Sequence, residues 1–229
     1  FNPKMKVQDI LCEPLKNFGL LAKGQDRSKA EELLCLVGLD SSFIDRFPHH
    51  MSGGQRQRVA IARALSLDPE IVICDEATSA LDVSIQAQVL QLLKKLQEER
   101  GLTYMFITHD LSVVEYISDR IVVMYLGRMV EMADTQELFE NTLHPYTRAL
   151  LSAIPIADID RRRKRIPLQG DVPSPVNPPS GCPFHPRCPE CMERCKTEVP
   201  HPVIITRDGR EHMVCCHRVQ ANAGSGNGF

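Results

Sequence analysis

The chain contains 229 residues, 24% of them charged and 43% hydrophobic, and its formal net charge is -2. This length suffices for one domain with a hydrophobic core and a small additional module, and the charge gives no indication of nucleic-acid binding. No apolar run reaches the ~18 residues that a membrane-spanning helix requires, and no signal peptide is recognisable. We therefore expect a soluble chain whose link to a membrane, if it has one, runs through partner proteins.

Residues 4–50 are predicted to be mostly helical. Apolar side chains recur at helical spacing from Val7 to Leu21 and again from Arg27 to Val37. Gly38 follows at the position where a residue with left-handed backbone commonly ends a helix. Asp40 is expected to cap a short turn after it.

A Ser-Gly-Gly-Gln sequence formed by Ser52, Gly53, Gly54 and Gln55 opens the next predicted helix. The unpaired N–H groups and the positive dipole at a helix N-terminus suit an anion such as a phosphate group. Glycine lets the backbone approach such a ligand because it has no Cβ atom. Taken alone, a turn of this kind is more often an ordinary helix cap.

Residues 71–74 are apolar, and the carboxylates of Asp75 and Glu76 follow them directly. The pattern predicts a buried parallel strand whose carboxyl end delivers both acids to the crevice where open α/β sheets bind ligands. One carboxylate could hold Mg²⁺ through its water shell, and the other could orient or deprotonate an attacking water molecule. The simpler interpretation is a solvated strand end.

A helix is predicted over residues 82–100 with Gly101 as its end, and a second strand over 103–107. This strand presents His109 at its carboxyl end, before a helix over 111–117, where the imidazole could contact a γ-phosphate. A lone histidine is more often structural. Further elements are expected as a strand at 121–125, a turn at 127–128 into a strand at 129–131, and helices at 134–140 and 144–151.

Six of the nine cysteines lie between residues 182 and 216. The spacing of Cys182, Cys188, Cys191 and Cys195, with Cys215 and Cys216 further along, is compatible with a four-coordinate zinc site or an iron–sulfur cluster. A metal would supply folding energy to a segment that has few apolar residues. The alternative is a disordered tail with free thiols.

Together these patterns resemble the ATPase subunit of an ABC transporter. Residues 52–55 match its signature motif, 71–76 its Walker B motif with the catalytic glutamate, 79–82 its D-loop, and His109 its switch histidine. The run HPYTRALL at residues 144–151 and the sequence DVPSPVNPPSG at 171–181 resemble the oligopeptide and dipeptide importers of that family.

The resemblance implies an α/β fold of the P-loop NTPase type, with a parallel sheet and a helical subdomain. The chain begins at Phe1 and contains no G-x-x-x-x-G-K-[ST] loop, so we interpret it as a C-terminal fragment that lacks Walker A and that is inactive as an ATPase by itself. The implied segments are a helical subdomain at 1–66, an ATPase core at 67–154, a proline-rich linker at 155–181, a Cys-rich extension at 182–218 and a disordered tail at 219–229.

The resemblance also implies cofactors and roles. ATP and Mg²⁺ are the expected cofactors, with Glu76 positioning water, Asp75 helping to hold Mg²⁺ and His109 steadying the γ-phosphate. Asp82 is expected to signal across an interface with a second, homologous ATPase subunit. The signature residues 52–55 of this chain would bind the ATP held by that second subunit. The other implied partners are two transmembrane permease subunits and, indirectly, an extracytoplasmic peptide-binding protein, which places the subunit at the cytoplasmic face of the membrane.

In metal-carrying members of the family, the extension resembles Cys182, Cys188, Cys195 and Cys216, which implies a [4Fe–4S] cluster, with Zn²⁺ as the alternative. Three other functions stay open. Nickel importers share the extension, and an ABC ATPase of DNA repair or chromosome organisation would share the motifs, although heptads and a basic groove are lacking. The chain by itself could also be a metal-binding interaction module. The basic run at 161–165 is read as a solvated linker patch, with anionic lipid headgroups as the alternative partner.

Overall fold

A computed structural model of the chain describes residues 1–154 and 165–224, without the side chains of 222–224. It consists of two compact units, which lie in residues 1–113 and 114–229. Across the described ranges, the structure contains no helix with the length and apolar character that crossing a membrane requires.

The first unit begins with three helices that pack against one another. Buried apolar residues, among them Leu11, Leu34 and Ala62, form their common core. Gly38, which follows the C-cap residue of the second helix, has a φ of 68°. Asp40 accepts a hydrogen bond from the N–H of Ser42. The predicted helix end at Gly38 and the predicted cap at Asp40 are both confirmed. The helices are α1 (Val7–Asn17), α2 (Asp26–Leu36) and α3 (Gly53–Leu65), with short 3₁₀ turns at Ser41–Phe43 and Pro48–His50.

A parallel pair of strands follows, formed by β1 (Ile71–Asp75) and β2 (Thr103–Ile107). They pair in register from Ile71 opposite Thr103 to Asp75 opposite Ile107. Helix α4 (Val83–Arg100) connects them and ends at Gly101, whose φ is 64°. Helix α5 (Leu111–Ile117) comes after β2. The predicted order of strand, helix, strand and helix is confirmed.

The predicted burial of β1 is wrong for this chain. Cys74 is buried, but Ile71 and Ile73 are 63% and 65% exposed. On β2, Met105 is likewise exposed, whereas the hydroxyl group of Tyr104 donates to the carbonyl oxygen of Leu93 on α4 at 3.0 Å. Because side chains alternate along a strand, the described residues cover one face of this two-stranded sheet and leave the other apolar face open.

The second unit is built on an antiparallel sheet in the order β3-β4-β6-β5. Two hairpins supply it, and each turns through two residues with positive φ, Leu126-Gly127 and Asp208-Gly209, which matches the twist of the strands that they join. The strands are β3 (Arg120–Tyr125), β4 (Arg128–Asp134), β5 (Val203–Arg207) and β6 (Arg210–Val214). The helices are α6 (Thr135–Glu140), α7 (Pro145–Ser152), α8 (Glu193–Thr197) and α9 (His217–Gly224).

The Cys-rich segment is part of this second unit rather than a separate appendage. Its strand β6 pairs with β4, and its residue Phe184, which is 1% exposed, belongs to the same apolar core as Ile121, Val123 and Tyr125. The ring centroids of Tyr125 and Tyr146 lie 5.2 and 5.3 Å from that of Phe184. The predicted core at 67–154 therefore divides between the two units, and its later part shares a core with the extension.

The C-terminal predictions have mixed outcomes. Residues 165–181 contain no helix or strand, as expected for a linker. The expectation of disorder from residue 219 is wrong as far as residue 224, because α9 occupies His217–Gly224 and buries Val219. Most of the basic run, 161–164, and the last residues, 225–229, lie outside the described residues.

Candidate functional site

The carboxyl ends of β1 and β2 bring the two predicted catalytic side chains together. Nδ1 of His109 lies 3.3 Å from Oε1 of Glu76. The N–H of Glu76 donates to the carbonyl oxygen of Ile107 at 2.9 Å, which extends the pairing of β1 and β2 by one step. Both side chains are exposed, so a ligand can reach the pair. Asp75 is the last residue of β1 and is also exposed.

The backbone at Glu76 is unusual, since its φ is 46°. A non-glycine residue in this left-handed region is uncommon and costs conformational energy. The turn is held by Ser79, whose N–H and Oγ both donate to the carbonyl oxygen of Glu76, at 3.2 and 3.1 Å. The strained turn directs the chain away from the strand immediately after the carboxylate.

A cavity of about 230 Å³ lies between α3 and β1, and its lining includes Asp75, Glu76 and Gln57. A larger cavity of about 1070 Å³ lies in the second unit, beside Arg120, Thr135 and Arg210. The larger one includes none of the predicted site residues. The smaller cavity is the more relevant one, because it adjoins the two carboxylates.

Ser52 and Gln55 form a reciprocal cap at the start of α3. Oγ of Ser52 accepts from the N–H of Gln55 at 3.3 Å, and Oε1 of Gln55 accepts from the N–H of Ser52 at 3.0 Å. These contacts are the capping box of a helix N-terminus. The first-turn N–H groups of Gly53 and Gly54, which have no acceptor within an α-helix, are the ones that suit an anion.

Gly54 has a packing role that its sequence pattern did not reveal. A Cβ atom added there would lie 2.4 Å from Cγ2 of Ile85 on α4, whereas one on Gly53 would lie 3.4 Å from Cδ2 of Leu81. The predicted signature turn therefore lies close to Leu81 of the predicted D-loop and to Ile85 of α4, and the absence of a side chain at Gly54 permits the close approach to Ile85.

Asp82 caps α4. Its carboxylate accepts from the N–H of Ile85 at 3.0 Å and from Oγ of Ser84 at 2.8 Å. These hydrogen bonds, that from the Ile85 N–H foremost, lower the pKa of the Asp82 carboxyl group. The structure thus assigns this residue a local structural role, and its predicted role in signalling between subunits stays a prediction.

The four cysteines predicted to bind metal do not form a ligand set. The N–H of Cys182 donates to the carbonyl oxygen of Cys195 at 2.8 Å, so these two segments do meet. Burial raises the pKa of Cys182 to about 11 and that of Cys188 to about 12, and it also raises the pKa of Cys216.

The described part of the chain contains no group of three or more His, Cys, Asp or Glu side chains arranged to hold a metal ion. The expected [4Fe–4S] or Zn²⁺ site at Cys182, Cys188, Cys195 and Cys216 is therefore not supported. Cys182 and Cys188 pack beside the apolar core around Phe184 instead, which explains their burial.

Sequence reasoning missed a buried charged cluster in the second unit, formed by His212, Glu131 and Glu137. Nε2 of His212 lies 2.9 Å from Oε1 of Glu131, and its Nδ1 lies 3.2 Å from Oε1 of Glu137. The same oxygen of Glu131 accepts from the N–H groups of Leu143 and His144. No periodicity distinguishes these residues from solvated strand and helix positions, so only their packing identifies them.

A second missed contact set joins α7 to the Cys-rich segment. Glu190 lies 3.1 Å from Arg148 and 2.8 Å from Arg218. His144, at the start of α7, accepts from the N–H of Tyr146 through Nδ1, and burial lowers its pKa to about 4. The HPYTR run therefore has a structural role at the junction with the extension.

Two family descriptions match the chain. Residues 1–79 match the ABC transporter family, and residues 130–195 match the oligopeptide/dipeptide transporter, C-terminal region. The first match covers α1–α3, β1 and the turn after it, and the second covers β4 through the start of α8.

Curated relatives are similar over nearly the whole chain. A probable peptide ABC transporter ATP-binding protein of Sinorhizobium fredii, y4tS, is 53% identical over 94% of this chain and 60% of the relative. The oligopeptide transport ATP-binding protein AppF of Bacillus subtilis is 51% identical over 94% and 65%. The di/tripeptide transport ATP-binding protein DppF of Pseudomonas aeruginosa is 47% identical over 96% and 67%. The chain thus spans between 60% and 67% of the length of these relatives.

Among solved structures, the chain is similar to the ATP-binding cassette MJ0796, described as a dimer in a post-hydrolysis state bound to ADP and Pi. The identity is 36%, the TM-score is 0.51, and 58% of each chain is covered. A second dimeric structure of MJ0796, described as a bacterial ABC transporter cassette, has the same values.

Proposed function

This chain belongs to the family of peptide ABC transporter ATP-binding proteins, and we propose that the whole subunit hydrolyses ATP to drive import of oligopeptides or dipeptides. The observation that carries the proposal is the pairing of Glu76 and His109 at 3.3 Å, at the ends of adjacent parallel strands. Open α/β sheets bind their ligands at the carboxyl ends of their parallel strands.

In the proposed reaction Glu76 is the residue that orients and deprotonates the attacking water. The carboxylate of Glu76 is exposed, so a ligand can reach it. The left-handed backbone of Glu76 turns the following chain away from this carboxylate. His109 shares a hydrogen bond with Glu76, which limits both side chains to orientations in which they face the same ligand. Proton transfer and charge stabilisation by such positioned groups are general means of catalysis.

The exposed carboxylate of Asp75, one residue earlier, fits a Mg²⁺ ion held through water. When bound, that ion would neutralise charge on the phosphate oxygens. Asp75 and Glu76 are adjacent in the chain and both are exposed. We propose separate roles for the two carboxylates, with Asp75 holding the metal and Glu76 acting on water.

Ser52, Gly53, Gly54 and Gln55 are proposed to bind the ATP held by a second ATPase subunit. The capping box orders this turn in advance, and the N–H groups of the two glycines at the positive end of α3 suit phosphate oxygens. The dimeric state of the similar cassette MJ0796 supports a two-subunit arrangement. Asp82, next to this turn through the Gly53–Leu81 approach, is proposed to relay contact across that interface.

The partners proposed for the subunit are two transmembrane permease subunits and, indirectly, an extracytoplasmic peptide-binding protein, with the ATPase at the cytoplasmic face of the membrane. Peptide cargo is favoured over nickel because the relatives y4tS, AppF and DppF all have peptides in their names. The match of residues 130–195 to the oligopeptide/dipeptide transporter region supports the same cargo class.

The test is ATP hydrolysis by the subunit in its full length, assembled with its permease partners, compared with Glu76→Gln. We expect the variant to bind ATP and to lose turnover. Unchanged turnover in Glu76→Gln would overturn the assignment of this carboxylate. Peptide uptake into vesicles, measured beside Ni²⁺ uptake, decides the cargo.

A further inference from the structure

One side-chain hydrogen bond connects the loop that carries His109 to helix α4. Nε2 of Gln86 donates to Oδ2 of Asp110 at 3.2 Å. Gln86 and Asp110 are both partly buried, and they are 24 residues apart in sequence. The contact therefore joins two elements that the chain reaches separately.

Asp110 is held by further contacts. Its Oδ1 accepts from the N–H of Ser112 at 3.0 Å, and its own N–H donates to Oγ1 of Thr108 at 3.1 Å. His109 lies between Thr108 and Asp110, so the same hydrogen bonds define the backbone from which the imidazole reaches Glu76. Of these contacts, the one from Gln86 is the link to α4.

Gln86 is itself tied to the start of α4. Its N–H donates to the carbonyl oxygen of Asp82 at 2.8 Å, and Asp82 is the N-cap of that helix. Ile85, the residue before Gln86, makes the close approach to Gly54. A displacement of the first turn of α4 therefore moves both the neighbour of the signature turn and the donor to Asp110.

We propose that Gln86 is a positioning residue that transmits the placement of the first turn of α4, through Asp110, to His109 and thus to the Glu76–His109 pair. This role rests on the proposed ATPase function and adds to it a connection between the signature and D-loop segments and the catalytic pair. The side-chain amide of Gln86 is suited to this positioning role, because it is uncharged and can donate to the Asp110 carboxylate, which already accepts a hydrogen bond from Ser112.

The experiment uses the full-length subunit with its permease partners and compares Gln86→Ala with Gln88→Ala, an exposed glutamine two residues along the same helix. We expect Gln86→Ala to lower kcat about tenfold, the lower end for loss of a hydrogen bond to a charged group, since the contact is only partly buried. KM for ATP and the unfolding midpoint should stay at the wild-type values, because Gln86 is not among the proposed ATP-binding residues and is only partly buried. Gln88→Ala should match the wild type.

A charge-swap pair gives the sharper result. Gln86→Glu places a second carboxylate beside Asp110, so kcat should fall at least as far as in Gln86→Ala. Adding Asp110→Asn restores a hydrogen bond with the donor and acceptor exchanged, while the Asn oxygen still accepts from Ser112. We expect this double variant to recover most of the lost kcat.

The outcomes separate the two proposals. Loss of turnover in Glu76→Gln, with a Gln86→Ala variant as active as Gln88→Ala, would contradict the positioning role and leave the ATPase function standing. A double variant no better than Gln86→Glu alone would also contradict it. A wild-type complex without ATP turnover would count against the proposed function itself.

Discussion

The imidazole of His212 bridges two buried carboxylates, with Nε2 at 2.9 Å from Oε1 of Glu131 and Nδ1 at 3.2 Å from Oε1 of Glu137. Each ring nitrogen faces a carboxylate oxygen, and these contacts favour the protonated, positively charged imidazole. The bridge connects β6 with β4 and α6. The ladder joins β6 to β4 through the pairs Glu131–Val214 and Met132–Met213, and this side-chain contact is a further attachment of the β5–β6 hairpin.

Stability of the second unit should therefore depend on pH through His212. Burial opposes its charge, but the hydrogen bonds to Glu131 and Glu137 outweigh burial and raise the pKa of His212. The contribution is fully present below the unfolded pKa of about 6.5 and is lost as pH rises through the higher folded value. We expect faster amide exchange in residues 203–214 at alkaline pH than at pH 6, after correction for the intrinsic exchange rate.

The matched variants are His212→Gln and His201→Gln, since His201 is exposed. His212→Gln should exchange faster at pH 6 and lose most of the pH dependence, and His201→Gln should behave as the wild type. His144 acts in the opposite direction, because its pKa of about 4 means that protons bind the unfolded state preferentially as pH falls below about 6.5. The difference between wild type and His212→Gln removes that contribution, and equal profiles in the two would contradict the bridge.

Gly54→Ala should destabilise the first unit by about 1–3 kcal/mol, the usual range for overpacking. The new Cβ would lie 2.4 Å from Cγ2 of Ile85, so the Ile85 side chain or the two helices α3 and α4 must shift. Gly53→Ala is the control, since its Cβ would lie at an ordinary 3.4 Å from Leu81. Urea unfolding followed by circular dichroism measures both, and the additional change Ile85→Ala should recover part of the loss in Gly54→Ala. Equal midpoints for the two glycine variants would contradict the close approach.

Asp82→Ala should lower the free energy of unfolding, as expected for loss of a helix N-cap. Asp82→Asn keeps an acceptor for the N–H of Ile85 and should cost less. Because the pKa of Asp82 is lowered, its contribution is present above the unfolded value of about 3.9 and disappears as pH falls through the folded value. If Asp82→Ala unfolds at the same urea concentration as the wild type at pH 7, the cap does not stabilise α4.

Phe184→Ala should destabilise the second unit by about 3–5 kcal/mol, the cost of removing a large buried aromatic side chain. Its ring is 1% exposed and contacts Tyr125 and Tyr146. Val176→Ala, at a position 83% exposed, is the control. Hydrogen exchange should speed up in β3 as well as in the Cys-rich segment. An effect confined to residues 182–218 would show that the extension has a core of its own.

The cysteines should differ in their reaction with an alkylating reagent. Cys191 is exposed, whereas burial raises the pKa of Cys182 to about 11 and of Cys188 to about 12. Since the thiolate is the reactive form, Cys191 should be modified before Cys182 and Cys188 at pH 8, as read by mass spectrometry of the peptides. Modification of Cys182 or Cys188 ahead of Cys191 would contradict the burial. Iron and zinc analysis of the same sample tests independently whether these thiols hold metal.

Local patterns predicted much of this architecture because they reflect local physics. Gly38 and Gly101 end helices where the backbone must turn left-handed, and Asp40 and Ser52 cap turns and helices through their own side chains. Short, mostly apolar runs identified β1 and β2, and the acidic and imidazole groups after them located the Glu76–His109 pair. These signals depend on neighbours within a few positions.

Tertiary structure decided what depends on distant neighbours. Cys182 and Cys188 have metal-like spacing, but packing beside Phe184 buries their thiols. The apolar residues of β1 predicted a strand buried on both faces. Burial also requires other segments to pack over each face, and the composition of the strand does not reveal whether they do. Gly54 appeared to serve a phosphate alone, although Ile85 needs the same space.

The sequence by itself determined the motifs, their order and the family, because the residues that define each motif lie within a few positions of one another in the chain. Only the fold could show that Glu131, Glu137 and His212 form one buried charged cluster, since their positions span 81 residues between Glu131 and His212. A charge on a strand is read as solvated until its neighbours are known. Whether it is solvated or buried is decided by which segments pack over it, and that is a property of the whole unit.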